Sequence, residues 1–230
     1  MDYGRPLAAA MGIQFIPFDF ERKGVPVSAT MIRDNPRKHW DYLAPAARPY
    51  YLTRVALVGA ESTGKSTLAI FLARHFGSVC VPEYAEALLR ANGGEFSTEM
   101  VPVIMHGQLA SERALAPLAS RWLFCDSDLI TTLVWSEMVL GAAPEKLHQA
   151  AQAQKYAMTL LLDCTPPWVP DVHRRIVEAG ARERFHARFE YYLEAFGRPY
   201  KVISGETFTE RELAAVAVIE SICPEVPSRK

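Results

Sequence analysis

The sequence lacks the marks of several specialised protein classes. Its four cysteines form no CxxC pair and have no histidine at zinc-ligand spacing, so we interpret Cys80, Cys125, Cys164 and Cys223 as structural, mostly small buried residues. There is no excess of positive charge, because 25 Lys and Arg residues stand against 26 Asp and Glu residues. This balance argues against a dedicated nucleic-acid binder.

Long apolar stretches are missing as well. No run approaches the roughly 18 residues that a membrane-spanning helix needs. The opening segment, MDYGRPLAAAMG, lacks the basic-then-apolar order of a signal peptide. We therefore expect a cytoplasmic protein that does not associate with a membrane.

The chain divides into two zones by composition. Residues 1–50 hold several prolines and little periodic pattern, and we expect a short N-terminal appendage there. Residues 51–230 alternate short apolar runs with helix-length segments, which predicts an α/β domain with a parallel sheet of about five strands flanked by helices. The predicted strands are Arg54–Val58, Ser78–Val81, Trp122–Asp126, Ala157–Asp163 and Tyr200–Ser204.

The strongest motif follows the first predicted strand. GAESTGKST at 59–67 matches G-x-x-x-x-G-K-[ST], the phosphate-binding loop of P-loop NTPases, and it lies between a strand and a helix as that motif requires. Glycines permit the tight turn, and backbone N–H groups and the positive helix end then face the phosphates. The alternative is a glycine turn without a ligand. The predicted nucleotide-binding residues are Gly59, Glu61, Ser62, Thr63, Gly64, Lys65, Ser66 and Thr67.

The same loop predicts the cofactors, ATP and Mg²⁺. Lys65 would reach the β- and γ-phosphates, and the Ser66 hydroxyl would ligate Mg²⁺. The Asn-Lys-x-Asp segment of guanine-specific GTPases does not occur in the sequence, and the single-domain length suits a small-molecule kinase better. The loop by itself predicts nucleotide binding and leaves the reaction open.

Acidic residues follow two of the predicted strands. Asp126 ends the third strand and is predicted to hold Mg²⁺ with Ser66, while Asp128 is predicted to face the substrate, with capping of the next helix as its alternative role. Glu83 follows the second strand, and ligands bind beyond the carboxyl ends of parallel strands. Its carboxylate could accept the proton of an attacking hydroxyl, and the alternative is an acidic residue in the first turn of a surface helix.

A segment rich in proline, TPPWVPDVHRR, follows the fourth predicted strand. Arg174 or Arg175 in this segment could close over the γ-phosphate as a lid and neutralise charge in the transition state. We select Arg174 as the catalytic arginine. The alternative for both is a solvated helix end.

Five segments, taken in order, resemble the kinase domain of the NadR family: RVALVGAESTGKSTLA, VPEYAEALL, FCDSDLITTLVWSEMVLG, LLLDCTPPWVPD and GRPYKVISG. The resemblance implies a ribosylnicotinamide kinase of NAD salvage, which uses ATP to phosphorylate the 5′-hydroxyl of a small nucleoside, nicotinamide riboside. Catalysis would then rest on Lys65, Glu83, Asp126, Asp128 and Arg174. Glu83 and Asp128 are also candidates to bind the nucleoside. The aromatic candidates to stack on its cationic ring are Tyr84, Trp135 and Trp168, with core packing as their alternative role.

The N-terminal zone resembles the end of that family's adenylyltransferase domain. Ser28 and Thr30 could cap a short helix there, and Arg33 adds positive charge. Because no nucleotide-binding strand or His-x-x-His element precedes them, we expect residues 1–50 to be a remnant of that domain. Two alternatives stay open for the whole chain: a P-loop kinase of another nucleoside or small metabolite, and a regulatory nucleotide-binding module without catalysis.

Overall fold

The computed structural model describes residues 4–16, 19, 21–165 and 180–222, and the chain forms two compact units, Met1–Leu43 and Ala44–Lys230. The first unit contains α1 (Gly4–Met11), α2 (Ala29–Asp34) and a 3-10 turn at Trp40–Tyr42. The second unit begins before the boundary predicted at residue 51. The origin of residues 1–50 as a domain remnant stays a prediction.

The short helix predicted around Ser28 is present as α2. The Ser28 side chain is its N-cap, since its Oγ accepts a hydrogen bond from the backbone N–H of Met31 at 3.0 Å. Arg33 donates to Thr30 Oγ1 at 3.4 Å, so these two polar side chains contact each other. The predicted capping by Ser28 is therefore confirmed.

The second unit alternates strands and helices along its whole described length. A further 3-10 turn, Ala116–Leu118, precedes the third strand. The elements are α3 (Arg48–Tyr51), β1 (Thr53–Val58), α4 (Lys65–His75), β2 (Val79–Val81), α5 (Tyr84–Ala91), α6 (Met100–Leu115), β3 (Trp122–Asp126), α7 (Leu129–Leu140), α8 (Glu145–Ala153), β4 (Met158–Leu162), α9 (Ala181–Ala195), β5 (Tyr200–Ile203) and α10 (Phe208–Ile222).

All five predicted strands are confirmed, and they form one parallel sheet in the order β2-β3-β1-β4-β5. In the register of this sheet, Leu57 of β1 pairs with Asp126 of β3 and with Leu160 of β4. The strands are parallel, so their carboxyl ends meet at one edge, where the loop after β1 begins. This edge is the place where doubly wound sheets bind ligands.

Helices cover both faces of the sheet because its strands are apolar on both faces. In β1, Val55 and Leu57 pack with Leu68 and Leu72 of α4 and with Ile219 of α10. The side chain of Val58 points to the opposite face, where the core includes residues of α7, α8 and α9. The alternation along one strand follows from the two-residue repeat of a pleated chain. It explains why the predicted strands are continuous apolar runs.

The three cysteines that the structure describes lie in buried or partly buried positions. Cys125 is buried, and Cys80 and Cys164 are partly buried; none of the three is in a disulfide, while Cys223 lies outside the described residues. Burial raises the pKa of Cys80 to about 12, which suits an unreactive thiol. Among the helices that the structure describes, none is long and apolar enough to cross a membrane.

Candidate active site

The loop between β1 and α4 turns on two glycines that no other residue could replace without strain. Gly59 has φ +148°, and a Cβ there would lie 2.9 Å from the carbonyl oxygen of Leu162 in β4. Gly64 has φ +86° and begins α4 as its N-cap, and a Cβ there would lie 2.9 Å from the ring of Phe208. Close backbone approach and left-handed conformation are therefore both required, as a phosphate-binding loop demands.

Two side chains of the loop form hydrogen bonds with the loop's own backbone. Thr63 Oγ1 donates to the carbonyl oxygen of Ala60 at 2.9 Å, and Lys65 Nζ donates to the same oxygen at 3.0 Å. Thr63 is buried, whereas Thr67 lies exposed in the first turn of α4. The Lys65 ammonium is thus held at the loop by a neutral carbonyl oxygen. A phosphate oxygen would be a stronger, charged partner for it.

Asp126 and Ser66 lie together at the end of the loop, as a Mg²⁺ site would require. Burial raises the pKa of Asp126, while the Lys65 charge and a hydrogen bond with Ser66 act in the opposite direction. Asp126 is 3% exposed, and its Oδ1 has no hydrogen-bond partner within the described ranges. A buried, unpartnered carboxylate oxygen beside a hydroxyl offers the hard oxygen ligands that Mg²⁺ prefers.

The remaining ligands of such an ion would come from phosphates and water. No cluster of three His, Cys, Asp or Glu side chains able to hold a metal occurs in the described part of the chain. Mg²⁺ is commonly held by one or two carboxylates together with substrate phosphates rather than by an all-protein cage. The residues present therefore fit an ion that binds together with a nucleotide.

A cavity of about 230 Å³ opens beside the loop. It is continuous from the loop to α7, so one ligand could contact both. The residues that supply its polar and aromatic surface are Glu61, Ser62, Lys65, Ser66, Glu83, Glu86, Arg90, Phe96, Thr131, Thr132 and Trp135. Of the predicted site residues, the cavity thus brings together Glu61, Ser62, Lys65, Ser66, Glu83 and Trp135.

Glu83 lies between β2 and α5, at the sheet edge that carries the loop. Burial of its carboxylate raises the pKa of Glu83 to about 7, against the opposing effect of the Lys65 charge, and Asp126 and Glu86 raise it further. A residue of α6 holds the backbone next to Glu83 in place: Gln108 Oε1 accepts a hydrogen bond from the backbone N–H of Tyr84 at 2.9 Å. A carboxylate that titrates near neutral pH is suited to accept a proton.

Aromatic rings form the end of the cavity that lies away from the loop. Trp135 and Phe96 line it, with ring centroids 6.5 Å apart in an edge-to-face arrangement. Behind them, Phe185 of α9 packs on Trp135 at 5.0 Å between centroids. Trp135 follows Thr131 by four residues, so one face of α7 presents a hydroxyl and an aromatic ring to the same space.

Asp128 is not among the residues that line the cavity, and the structure places it at the start of α7. Its Oδ1 accepts a hydrogen bond from the backbone N–H of Thr131 at 3.1 Å, which makes it the N-cap of α7. Its Oδ2 lies 3.6 Å from Nη1 of Arg198, and both side chains are almost fully buried. The helix cap, which the sequence offered as its alternative role, is present, and a role towards the substrate stays a prediction.

Tyr84 is likewise not among the residues that line the cavity. Its ring packs against Gly107 of α6, where an added Cβ would lie 2.2 Å from the ring. This contact supports its alternative role in packing. Trp168 and Arg174 lie outside the described residues, so their roles stay predictions.

Several residues of the site carry no motif in the sequence. Glu86 and Arg90 of α5 line the cavity and form an ion pair at 2.6 Å. Their i, i+4 spacing predicts the ion pair, but it does not predict that the two residues line a cavity. Gln108 and Arg211 contact the site from distant helices. Only the folded chain reveals such long-range contacts.

Comparison with known proteins agrees with this geometry. A family model described as an AAA domain matches residues 54–211. Two curated relatives are each named trifunctional NAD biosynthesis/regulator protein NadR. The relative from Escherichia coli (strain K12) is 25% identical to this chain over 219 residues. The relative from Salmonella typhimurium (strain LT2) is 24% identical over 221 residues. Each alignment covers 94% of this chain and 53% of the relative, so the chain spans about half the length of the curated relatives it matches.

Solved structures show the same fold. A crystal structure of NadR protein in complex with NR superposes with a TM-score of 0.74 at 22% identity, over 91% of this chain and 61% of that one. NadR protein in complex with NAD and AMP-PNP gives 0.72 at 23% identity, over 91% and 60%. Thymidylate kinase from Ehrlichia chaffeensis gives 0.50 at 13% identity, over 73% and 98%.

The matched family model begins in β1, includes the phosphate-binding loop and ends at Arg211, so it spans the cavity described above. The fold is that of a P-loop NTPase, as predicted. The chain belongs to the AAA domain family and is homologous to NadR over the part of that protein that it covers.

Proposed function

We propose that the protein is an ATP-dependent kinase that phosphorylates the 5′-hydroxyl of nicotinamide riboside, giving nicotinamide mononucleotide and ADP. One observation carries the proposal. Lys65 and Ser66 of the phosphate-binding loop line the same cavity as Glu83, a carboxylate with a pKa of about 7. A phosphate-binding loop and a proton acceptor in one space are the two parts that transfer to a hydroxyl needs.

The loop would bind the triphosphate of ATP. Its backbone N–H groups and the N-terminus of α4 supply donors, and Lys65 supplies a charge that is held at the loop by Ala60. Ser66 and Asp126 would hold Mg²⁺, which supplies charge neutralisation on the phosphates when it is bound. These residues hold and orient groups, and phosphoryl transfer requires little covalent participation from the protein.

Glu83 would accept the proton of the attacking hydroxyl. A base is most effective when its pKa lies close to the working pH, and burial gives Glu83 a pKa of about 7. The hydrogen bond from the Tyr84 N–H to Gln108 holds the start of α5, so the Glu83 carboxylate is fixed relative to the loop. Glu83 would therefore be both the catalytic base and a contact for the ribose hydroxyl.

The charge and aromatic content of the cavity favour a cationic nucleoside. Three carboxylates line it (Glu61, Glu83 and Glu86), against two cationic side chains (Lys65 and Arg90). The face of Trp135 would attract a positively charged pyridinium ring. The similar structure of NadR with NR and the homology to NAD biosynthesis proteins support this choice of substrate.

A substrate panel tests the proposal directly. Purified protein with ATP and Mg²⁺ is offered nicotinamide riboside, uncharged nucleosides and no acceptor, and ADP release is followed in a coupled assay. Turnover with nicotinamide riboside above the ATP-only control, and above the uncharged nucleosides, is the expected result. Preference for another acceptor would indicate a different small-molecule kinase, and nucleotide binding without transfer to any acceptor would indicate a regulatory module.

A further inference from the structure

A buried arginine of α10 joins the phosphate-binding loop to two other segments. Arg211 is 2% exposed. Its Nη1 donates to the carbonyl oxygen of Thr63 in the loop at 3.0 Å, and its Nε donates to that of Gly205, which follows β5, at 3.0 Å. Its Nη2 contacts the carboxylate of Asp163 at the end of β4. One guanidinium thus connects three points along the edge of the sheet.

The Asp163 carboxylate is kept ionised beside this arginine. Burial acts to raise the pKa of Asp163, but hydrogen bonds from Thr165 and Ser204, together with the Arg211 charge, hold that pKa below its usual value. Placing an ion pair inside a protein is expensive in desolvation and is often no more stabilising than an apolar contact. A gain in stability is therefore a weak reason for this residue to be here.

The contact with Thr63 has a consequence for phosphate binding. In a trans peptide the C=O and N–H bonds point in opposite directions, so the N–H of Gly64 points away from the arginine that binds the Thr63 oxygen. Gly64 is the N-cap of α4, whose N-terminus is the phosphate-binding end. The Phe208 ring, in the first turn of α10, packs against the same glycine. The first turn of α10 therefore fixes the peptide that begins α4.

We propose that Arg211 is a positioning residue of the phosphate-binding loop, which holds the Thr63–Gly64 peptide in the orientation that binds a nucleotide's phosphates. Flexible loops lose binding energy when a ligand orders them, and an anchored peptide avoids that loss. Arg211 acts through the loop backbone and needs no contact with the nucleotide. The inference rests on the proposed function only for the statement that this loop binds ATP.

A second buried arginine provides a matched control. Arg198 is 5% exposed, lies opposite the carboxylate of Asp128, and donates to a backbone oxygen, that of Ala151, at 2.8 Å. It therefore resembles Arg211 in burial and partners, but none of its described contacts is to the phosphate-binding loop. A purely structural role predicts the same consequences for a change at either arginine.

The test is calorimetric titration of Mg²⁺ and AMP-PNP into wild type, Arg211→Lys and Arg198→Lys, at a temperature where each is folded by circular dichroism. A lysine keeps the charge but lacks the planar fork of donors with which Arg211 reaches three segments. We expect Arg211→Lys to raise the Kd by about tenfold or more, since the loop loses a charge-assisted hydrogen bond. Arg198→Lys is expected to lower the Tm and leave the Kd unchanged.

Unchanged affinity in Arg211→Lys, or an equal loss in Arg198→Lys, would overturn the proposal. If Arg211→Lys does not fold, Asp163→Asn replaces it, because this change keeps an acceptor near Arg211 and removes the charge that orients it. We expect Asp163→Asn to raise the Kd as well, and wild-type affinity in that variant would equally overturn the proposal. The titration contains no nucleoside, so it tests the role of Arg211 independently of the substrate. If the protein binds AMP-PNP but does not phosphorylate nicotinamide riboside, only the proposed substrate is wrong.

Discussion

The two ends of the cavity are built in different ways. At the phosphate end, a run of consecutive residues, 59–66, brings glycine turns, a lysine and a hydroxyl to one place. At the other end, the lining comes from α5, from Phe96 and from α7, which reaches Trp135. The phosphate end depends on backbone conformation, whereas the other end depends on which side chains the fold brings together.

This difference separates what is general from what is specific in the protein. A backbone cradle recognises phosphate, which every nucleotide carries. In the proposed function, side chains such as Glu83 and Trp135 would select the acceptor by their charge and shape. Substitutions at the phosphate end are therefore expected to slow phosphoryl transfer to every acceptor. Substitutions at the acceptor end are expected to slow transfer only to particular nucleosides.

The largest effect is expected from Lys65→Ala at the phosphate end. Loss of the ammonium near the transferred phosphoryl group should lower kcat/KM by about 10³-fold or more, for every acceptor tested. The measurement is the coupled ADP assay, with Lys146→Ala, an exposed lysine of α8, as the control that retains wild-type activity. An effect confined to one acceptor would contradict the division between the two ends.

A smaller effect is expected from Trp135→Ala at the acceptor end. Loss of the aromatic face should raise the KM for nicotinamide riboside by about tenfold and leave the KM for ATP unchanged. Trp135→Phe keeps an aromatic face and should lie between the variant and wild type. Steady-state kinetics in both substrates measures the split, and an equal rise in the KM for ATP would show that the two ends are not separate.

The smallest effect on activity is expected at Asp128, which lies outside the cavity. Asp128→Asn keeps a capping side chain but leaves Arg198 without its carboxylate, 3.6 Å away in the wild type. We expect the free energy of unfolding to fall by about 3 kcal/mol, with kcat/KM per folded molecule unchanged. Urea unfolding and kinetics on the same sample decide the matter, because lost activity with intact stability would restore Asp128 to the substrate site.

The parts of this protein that are local in sequence could be predicted, and the parts that depend on distant contacts could not. The five strands follow from apolar runs, and the loop follows from its glycines and lysine, since both signals lie within a few residues. Asp128 shows the limit, because its sequence position next to Asp126 allows both a cap and a substrate contact. The cap and the pairing with Arg198 on another segment become visible only in the folded chain.

Tyr84 and Arg211 show the same limit of prediction from sequence: Tyr84 was expected at the site, and Arg211 was not. Tyr84 follows Glu83 directly, so both could be expected at the acceptor, but Gly107 of α6 leaves room for the Tyr84 ring to pack there instead. Arg211 belongs to no motif, yet it binds the loop from α10. Neither contact can be read from spacing, because each depends on how two helices pack against the sheet.

The pH dependence of the reaction tests the central claim, that Glu83 is the base beside the phosphate-binding loop. A base must be unprotonated, so kcat/KM at low, fixed ATP and nucleoside should rise with pH and level off above a pKa of about 7. Glu83→Gln should lower the plateau by about 10²-fold and abolish that inflection, while Glu86→Gln should keep it. The same inflection in wild type and Glu83→Gln would contradict the account, because the titrating group would then lie elsewhere.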